Sequence, residues 1–426
     1  MHRALRAGYA AAAQLARGAA AVVPSGESKL LRALAARRGI RARYAAWGRT
    51  QRDAARPLLW MHAPSVGEGL QARPVLELFR RQRPDVQLAY THFSPSALAF
   101  AASLDVDFHD YLPFDTRGDA RVSLEALQPT ALVFSKLDVW PVLALQASAR
   151  GVRLGLVSAT LSSGSSRRSR LAGALLRDAY ARLDAVGAID AIDADRLIAL
   201  GARPGVVRVT GDTRYDQVWQ RAQRTDRSAP LLSTLASERP TLVAGSTWPA
   251  DEEVLLAAWL EVRRHVPDAR LVVAPHEPTA AHLAPIERWG AEQRLRLARL
   301  GTDEAHDADV VLVDRVGVLG DLYAIAHVAF VGGGFHSAGL HSVLEPAAYG
   351  VPVLFGPQHQ NSRDAGLLVV AGGGASVSDA TSLCAHLRRW FRDPALRADA
   401  GMRARAMVRA GLGAARRSFE LVDGLL

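Results

Sequence analysis

Short apolar runs alternate with segments of helical spacing along most of this chain. The run 58–62 (LLWMH) is too short for a helix, whereas 68–81 carries apolar residues at helical spacing. Further strands are predicted at 86–90, 131–134, 153–157, 241–244, 271–274, 310–313, 328–331 and 351–355. Because helical segments separate these strands, the pattern predicts an α/β fold of parallel sheets with crossover helices.

A polar stretch with two prolines, DQVWQRAQRTDRSAPLLSTLASERP, interrupts the alternation near residues 216–240. It divides the chain of 426 residues into two series of strands, each long enough for its own core. We therefore predict two Rossmann-like, doubly wound domains that face each other across a cleft and bind ligand at the carboxyl ends of their strands. The expected boundaries are 1–45 for an N-terminal segment, 46–216 and 241–400 for the domains, 217–240 for the link, and 401–426 for a helix returning to the first domain.

The N-terminal segment has an apolar stretch at 8–23 that resembles the apolar part of a signal peptide. Arg17 interrupts this stretch, which is too short and too polar to span a bilayer. The basic residues that follow predict a helix lying on an anionic membrane surface, with an ordinary amphipathic surface helix as the alternative. These basic residues are Arg37, Arg38, Arg41 and Arg43.

Composition narrows the classes of partner. The single cysteine, Cys384, excludes internal disulfides and cysteine-based zinc clusters. The net charge of +10 favours anionic partners, among them phosphorylated lipid at a membrane. No nucleic-acid-binding signature occurs, so nucleic acid is not an expected partner. The sequence indicates no oligomeric state.

The segment 332–361 carries the densest pattern of candidate chemistry. Three glycines follow the strand 328–331, and we expect the N–H groups of Gly333 and Gly334 to be free to approach a phosphate. Ser342 is predicted to start a helix whose N-terminus holds that phosphate, and Glu345 to accept from ribose hydroxyls. The alternative for Ser342-x-x-Glu345 is a capping box that needs no ligand. Neither Gly-x-Gly-x-x-Gly nor a Walker A sequence occurs.

Other polar groups follow the remaining predicted strands. Glu68, after the first strand, has the position of a general base, although Ser65-x-x-Glu68 also fits a capping box. Lys136, after the strand 131–134, suits a carboxylate or phosphate in a chain that otherwise uses arginine. Donors to a phosphate are offered by Arg214, Ser246 and Thr247.

The order and spacing of these motifs resemble one family closely. The motifs are HAPSVGE (62–68), THFSPSA (91–97), YLPFDT (111–116), KLDVWP (136–141), TGDTRYD (210–216), AGSTWPADEE (244–253), APHEP (274–278) and the block from GGGF to LHSVLEPAAYGVPVLFGP (332–357). Together they resemble the 3-deoxy-D-manno-octulosonic acid (Kdo) transferases, which are GT-B glycosyltransferases of lipopolysaccharide assembly. The similarity extends from the first strand to the end of the second domain.

The resemblance implies an activity and a site. Glu68 would deprotonate a hydroxyl of the lipid A precursor, which attacks the anomeric carbon of CMP-Kdo with inversion. No cofactor or metal is expected, and the enzyme would lie at the cytoplasmic face of the bacterial inner membrane as a peripheral or monotopic protein. The catalytic residues would be Glu68, Lys136 and Asp138. The donor-binding residues would be Arg214, Ser246, Thr247, His276, Gly333, Gly334, His341, Ser342 and Glu345.

The chain departs from the family pattern at four positions. Many members have glutamate at Lys136, asparagine at Ser342, and arginine at both Thr160 and His276. We expect Arg167 or Arg168 to replace the arginine missing at Thr160. Two rival hypotheses are another GT-B enzyme, such as a UDP-sugar transferase or UDP-sugar 2-epimerase, and a homologue that binds lipid or nucleotide without catalysis. The HAPSVGE and YLPFDT motifs argue against the first, and the joint presence of Glu68, Arg214 and Glu345 argues against the second.

Overall fold

The computed structural model describes residues 3–22, 28–162, 164–165, 167, 169–337 and 339–426. Its contacts divide into two compact units, the first comprising Met1–Gln217 with Leu412–Leu426 and the second Val218–Gly411. The division falls inside a continuous helix, Thr213–Arg224, and a second short helix, Pro230–Ser233, follows it. The polar stretch that was predicted as a link therefore contains helical structure.

The first unit is built on a seven-stranded parallel sheet of order β3-β2-β1-β4-β5-β6-β7. Its strands are β1 (Leu58–His62), β2 (Gln87–His92), β3 (Phe108–Tyr111), β4 (Ala131–Ser135), β5 (Arg153–Ala159), β6 (Ala185–Ala188) and β7 (Val207–Val209). The helices that precede β7 in the chain are α1 (Arg3–Val22), α2 (Lys29–Ala35), α3 (Ile40–Thr50), α4 (Val66–Gln82), α5 (Leu98–Ala102), α6 (Arg117–Leu127), α7 (Pro141–Ser148), α8 (Arg170–Tyr180) and α9 (Ala191–Leu200), with 3₁₀ turns at Pro95–Ala97 and Pro204–Val206.

The second unit repeats this architecture with the order β10-β11-β9-β8-β12-β13-β14, again all parallel. Its strands are β8 (Thr241–Thr247), β9 (Arg270–Pro275), β10 (Leu297–Arg299), β11 (Val310–Leu312), β12 (Val328–Val331), β13 (Val353–Phe355) and β14 (Gly374–Ser376). Its helices are α10 (Thr213–Arg224, shared with the first unit), α11 (Pro230–Ser233), α12 (Pro249–His265), α13 (Ala280–Glu292), α14 (Leu319–Leu322), α15 (Leu344–Ala348), α16 (Arg363–Ala371), α17 (Ala380–Arg392) and α18 (Pro394–Ala410), with 3₁₀ turns at Asp303–His306 and Tyr323–Ile325. The predicted α/β fold with two doubly wound domains is confirmed.

Both faces of the first sheet are buried, which explains why its central strands are continuous apolar runs. Leu58 and Trp60 of β1 point into one core, and Leu59 and Met61 point into the core on the opposite face. The second of these cores includes the last helix of the chain, α19 (Ala414–Asp423), whose Phe419 ring lies 4.6 Å from that of Phe79. The C-terminal residues thus pack on the first unit.

Arg37, expected on a membrane surface, is buried inside the first unit with only 4% of its surface exposed. Its guanidinium donates to the carbonyl oxygens of Leu112 (2.9 Å), Ala33 (2.7 Å) and Phe93 (3.1 Å), and it lies 4.2 Å from the centre of the Phe93 ring. Because a buried cation needs such partners, Arg37 joins the N-terminal helices to the sheet rather than facing lipid.

The other members of the basic cluster also have internal partners. Arg43 forms two hydrogen bonds with Asp110 at 2.6 and 2.8 Å, Arg41 pairs with Asp119, and Arg38 donates to the carbonyl of Ala20 at 3.0 Å. These pairs leave Arg41 and Arg43 with 40% and 42% of their side chains exposed, so the membrane-facing role of the cluster stays a prediction for these residues. In the described part of the chain, no helix is long and apolar enough to cross a membrane.

We predict that Arg37→Ala lowers the free energy of unfolding by about 3 kcal/mol, because it leaves two buried carbonyl groups and one half-buried carbonyl group without a donor. The measurement is urea unfolding of the full chain, with Arg32→Ala as control, since Arg32 is an exposed arginine of α2. Unchanged stability together with weaker binding to anionic vesicles would show instead that Arg37 faces lipid.

Candidate functional site

Glu68 lies in the first turn of α4, immediately after β1, at the point where the strand order of the first sheet reverses between β1 and β4. The helix begins after Ser65, but the Ser65 side chain makes no capping bond to a backbone N–H. Its hydroxyl donates instead to Oε2 of Glu68. The alternative interpretation of Ser65-x-x-Glu68 as a reciprocal capping box therefore fails, and the serine orients the carboxylate.

Lys136 approaches Glu68 from the neighbouring strand end. Its Nζ lies 3.1 Å from Oε1 of Glu68, and the backbone of Lys136 has φ +64°, a conformation that costs a non-glycine residue of order 1 kcal/mol. A hydrogen bond of 2.8 Å from the Lys136 N–H to the carbonyl of Val157 holds this turn. The left-handed turn after β4 thus directs the ammonium group at the candidate base.

The surroundings of Glu68 decide its charge. Burial raises the pKa of this carboxyl, but the hydrogen bond from Ser65 and the positive charge of Lys136 outweigh burial and lower the pKa below its usual value. Glu68 is therefore an ionised carboxylate at neutral pH, the protonation state that a general base requires. Ser65 and Lys136 orient the carboxylate, and 18% of the Glu68 side chain remains exposed to solvent.

Asp138 lies in the same loop as Lys136 and is held by three donors. His62 Nε2 lies 3.0 Å from its Oδ2, Trp140 Nε1 donates to Oδ2 at 2.9 Å, and Arg167 Nη2 lies 3.5 Å from Oδ1. Burial raises the pKa of Asp138, but the hydrogen bond and charge of His62 outweigh it, so the pKa falls below its usual value. Asp138 consequently links the loop after β4 to the end of β1.

His62 is a residue that the site prediction omitted. It is fully buried at the end of β1, and its Nδ1 lies 3.0 Å from both the carbonyl and the hydroxyl oxygen of Thr91. The sequence signal was a histidine closing an otherwise apolar strand. Because His62 contacts Asp138, it holds in place the loop that carries Lys136.

The arginine expected to replace the one missing at Thr160 is Arg167 or Arg168. Arg167 pairs with Asp138 and lies 39% exposed, whereas Arg168 lies outside the described residues. Arg214, in the first turn of α10, pairs with Asp212 through Nη2 at 2.7 Å and Nε at 2.9 Å. Asp212 therefore fixes the direction of the Arg214 guanidinium.

The glycine turn after β12 is organised by a buried carboxylate, Asp251 of α12. Asp251 accepts from the N–H groups of Gly333 (2.7 Å), Phe335 (3.0 Å) and Trp248 (2.9 Å). The expectation that Gly333 offers a free N–H to a phosphate is therefore wrong, because Asp251 already occupies that donor. The glycine is needed for its φ of +91°, and Gly334 because a Cβ there would collide with the backbone of Gly356.

Ser342 does not start a helix. The helix α15 begins at Leu344 and spans five residues, its cap position is Val343, and no side chain caps it. The predicted helix start is therefore wrong by two residues, and the alternative capping box of Ser342 and Glu345 does not form. Ser342 itself is exposed in the segment before the helix.

Glu345 lies half-buried in α15 beside the ion pair between Arg221 and Asp321, whose Nε and Oδ1 are 2.9 Å apart. Burial raises the pKa of Glu345, and the negative charge of Asp321 adds to this effect while Arg221 opposes it. Hydroxyl groups that donate to such a desolvated carboxyl stabilise its ionised form.

The loop after β8 also differs from expectation. Thr247 is buried, and its hydroxyl donates to Oε1 of Glu252 at 2.8 Å, so that this proton is not available to a phosphate. Ser246 has φ +55° and lies half-exposed at the same strand end. Of the predicted pair, only Ser246 therefore remains as a candidate phosphate donor.

Four planar side chains meet where the strand order of the second sheet reverses between β8 and β12. Trp248 stacks on His336 with a centroid separation of 4.5 Å and an angle of 9°, and it lies 4.8 Å from His276. His276 stacks on His341 at 4.4 Å, and Trp248 Nε1 donates to His341 Nε2 at 3.1 Å. We name these four residues the indole–imidazole cluster. Trp248 and His336 were not predicted; an aromatic residue directly after β8 was the available signal.

Among the described residues, no group of three or more histidine, cysteine, aspartate or glutamate side chains is arranged to hold a metal ion. In the first unit, Glu68, Lys136 and Asp138 lie together at the carboxyl ends of β1 and β4. Around the strand edge of the second unit the structure places Ser246, Thr247, His276, Gly333, Gly334, His341, Ser342 and Glu345.

We predict that Lys136→Ala raises the pKa of the Glu68 carboxyl, because the cation that lowers it is removed. Titration of the ¹³C-labelled carboxyl by NMR measures this, and Lys136→Arg, which keeps the charge, should leave the pKa low. An unchanged pKa in Lys136→Ala would show that Ser65 alone sets the state of Glu68.

We further predict that Asp251→Ala lowers the free energy of unfolding by about 3 kcal/mol, because three backbone donors lose their acceptor. Asp268→Ala is the control, since Asp268 is an exposed aspartate of the same unit, and its effect should stay within about 0.5 kcal/mol. Equal urea midpoints for the two variants would contradict the organising role of Asp251.

Comparison with known proteins gives the family. A family model described as 3-Deoxy-D-manno-octulosonic-acid transferase (kdotransferase) matches residues 37–217. The 3-deoxy-D-manno-octulosonic acid transferase of Bordetella pertussis is 31% identical over 396 residues, which cover 90% of this chain and 91% of the relative. The enzyme of the same name from Haemophilus influenzae is 28% identical over 303 residues, 70% of each chain.

Among solved structures, UDP-GlcNAc 2-epimerase from Neisseria meningitidis bound to UDP-GlcNAc resembles the fold with a TM-score of 0.62. The alignment covers 86% of this chain and all of the epimerase at 14% identity, so it concerns the fold alone. The extended sequence match and the GT-B architecture agree: the chain belongs to the 3-deoxy-D-manno-octulosonic acid transferase family and is a glycosyltransferase.

Proposed function

We propose that this enzyme transfers Kdo from CMP-Kdo to a hydroxyl of the lipid A precursor, with inversion at the anomeric carbon and Glu68 as general base. The observation that carries the proposal is the ionised, oriented carboxylate of Glu68 at the reversal of strand order in the first sheet. Parallel α/β sheets bind ligands at such positions, outside the carboxyl ends of their strands.

In the proposed step, a carboxylate oxygen of Glu68 takes the proton of the acceptor hydroxyl as its oxygen bonds to the anomeric carbon of Kdo. The bond from that carbon to the phosphate oxygen breaks, and CMP leaves with the electron pair. Lys136 keeps Glu68 ionised until the acceptor arrives, and Ser65 keeps it directed. The base contributes about 10²- to 10⁴-fold to the rate.

We assign the donor to the second unit. Ser246 and His341 supply neutral donors, and Glu345 accepts from the ribose. Charge-assisted and neutral hydrogen bonds of this kind stabilise the negative charge that develops on the departing phosphate, so the proposed reaction needs no metal.

A lipid acceptor requires access to a membrane, and we assign that role to the N-terminal helices. Leu15 and Val22 of α1 are 74% and 81% exposed, and Leu30 of α2 is 69% exposed. These apolar side chains, rather than the internally paired arginines, would enter the lipid interface. The enzyme would thus be peripheral or monotopic at the cytoplasmic face of the inner membrane.

We predict that Glu68→Gln releases CMP from CMP-Kdo, in the presence of lipid A precursor, about 10²- to 10⁴-fold more slowly than the wild type. The amide cannot take a proton, whereas the affinity for CMP should stay unchanged because Glu68 belongs to the acceptor site. Glu125→Gln, an exposed glutamate of the same unit, is the matched control and should keep full activity. A fully active Glu68→Gln would remove Glu68 as the base.

A further inference from the structure

Trp248 constrains the chemical form of His341. The indole Nε1–H is only a donor, and it lies 3.1 Å from Nε2 of His341. Nε2 must therefore present its lone pair, which leaves the ring proton of neutral His341 on Nδ1. Protonation of Nε2 would break this hydrogen bond and place two donors against each other.

The charge state of His341 agrees with this geometry. Burial and the neighbouring rings of His276 and His336 lower the pKa of His341 to about 4, while the negative charge of Asp251 acts in the opposite direction. The imidazole therefore stays neutral between pH 5 and 8, with one N–H in a fixed position.

Trp248 is itself held firmly. Its backbone N–H donates to Asp251, the carboxylate that also holds Gly333 of the glycine turn. The His336 ring stacks on the indole, and His276 lies against both Trp248 and His341. The cluster thus connects the loop after β8 with the loop after β12.

The direction of the His341 ring follows from its neighbours. Its Cδ2 faces Gly333, and the adjacent Nε2 faces Trp248, so Nδ1 lies on the opposite edge of the ring. The N–H of Gly333 and the hydroxyl of Thr247 already have acceptors. A neutral donor at this strand edge is therefore available from His341, where the expected ones are occupied.

We propose that Trp248 is a positioning residue that fixes His341 as a neutral Nδ1–H donor to the phosphate of the bound cytidine nucleotide. This inference rests on the proposed function for the identity of the nucleotide. A neutral donor of fixed direction binds an anionic oxygen without the desolvation that a buried cation requires.

The first test needs no ligand. Long-range ¹H–¹⁵N spectra of the imidazole rings distinguish the two neutral tautomers, and His341 should be the Nδ1–H form in the wild type. In Trp248→Phe the ring stack is kept but the indole donor is lost, so the Nε2–H form should appear. An Nε2–H tautomer in the wild type, or an unchanged Nδ1–H tautomer in Trp248→Phe, would overturn the proposal.

The second test measures the affinities of CMP and cytidine for the full chain. Trp248→Phe should weaken CMP binding about 10-fold and leave cytidine binding nearly unchanged, because only CMP carries the phosphate. In a His341→Phe background, Trp248→Phe should have no further effect. Trp289→Phe, a half-buried tryptophan of α13, is the control for a general effect of the substitution.

The two tests separate the possible errors. Normal CMP binding by Trp248→Phe would overturn the positioning role and leave the proposed function intact. No CMP binding by the wild type, with the predicted tautomer present, would overturn the cytidine nucleotide as donor and with it the ligand named for His341.

Discussion

Parallel pairing around a reversal of strand order is the constraint on which the candidate chemistry depends. In the first sheet β1 pairs with both β2 and β4, and in the second β8 pairs with both β9 and β12. All strands of a sheet end at the same edge, and at the reversal the connections leave toward opposite faces. Glu68 and Lys136 meet at the first reversal, and the indole–imidazole cluster forms at the second. Because β1, β4, β8 and β12 are buried, the positions of these loops are fixed by the cores beneath them.

A carboxylate then organises each loop: Asp138 is half-buried and Asp251 is fully buried. Asp138 joins the ends of β1 and β4 through His62, and Asp251 joins the loops after β8 and β12 through three backbone donors. The strained backbones of Lys136 and Ser246, at φ +64° and +55°, lie at these same loops. A strained backbone persists only where the surrounding contacts hold it in place. Such strain is typical of preorganised sites. The two units thus use the same device to hold different groups: an ionised carboxylate in the first and a stack of neutral rings in the second.

The sequence was sufficient for the central strands and insufficient for the edges. The apolar runs of β1, β4, β8 and β12 are buried on both faces and were predicted within a few residues. The four edge strands β3 (FHDY), β7 (VRV), β10 (LAR) and β14 (GAS) were missed because they are short and lack a long apolar run. β6 (AVGA), the neighbour of β7, was missed as well, because its four residues are mostly alanine and glycine.

The sequence indicated where the candidate residues lie relative to the strands, but not which other side chains they contact. Glu68 and Lys136 were singled out because they follow strands, and Asp138 because of the family resemblance. The contacts of His62 and Arg167 with Asp138 depend on tertiary packing, since these residues lie 76 and 29 positions from it. The same limit explains the errors. Local pattern suggested a helix start at Ser342 and free donors at Gly333 and Thr247, but Asp251 and Glu252, from a different element, accept from the latter two. The ion pairs of Arg41 and Arg43 were likewise not predicted, because their acidic partners lie some 60 to 80 residues away along the chain.

The most direct test of the account is the mass of the lipid product after incubation of the wild-type enzyme with lipid A precursor and either CMP-Kdo or UDP-GlcNAc. The account predicts that the lipid gains one or more Kdo units from CMP-Kdo and nothing from UDP-GlcNAc. A folded enzyme that adds no Kdo, or that transfers the UDP-linked sugar, would contradict the proposed reaction and favour a different donor for this GT-B fold.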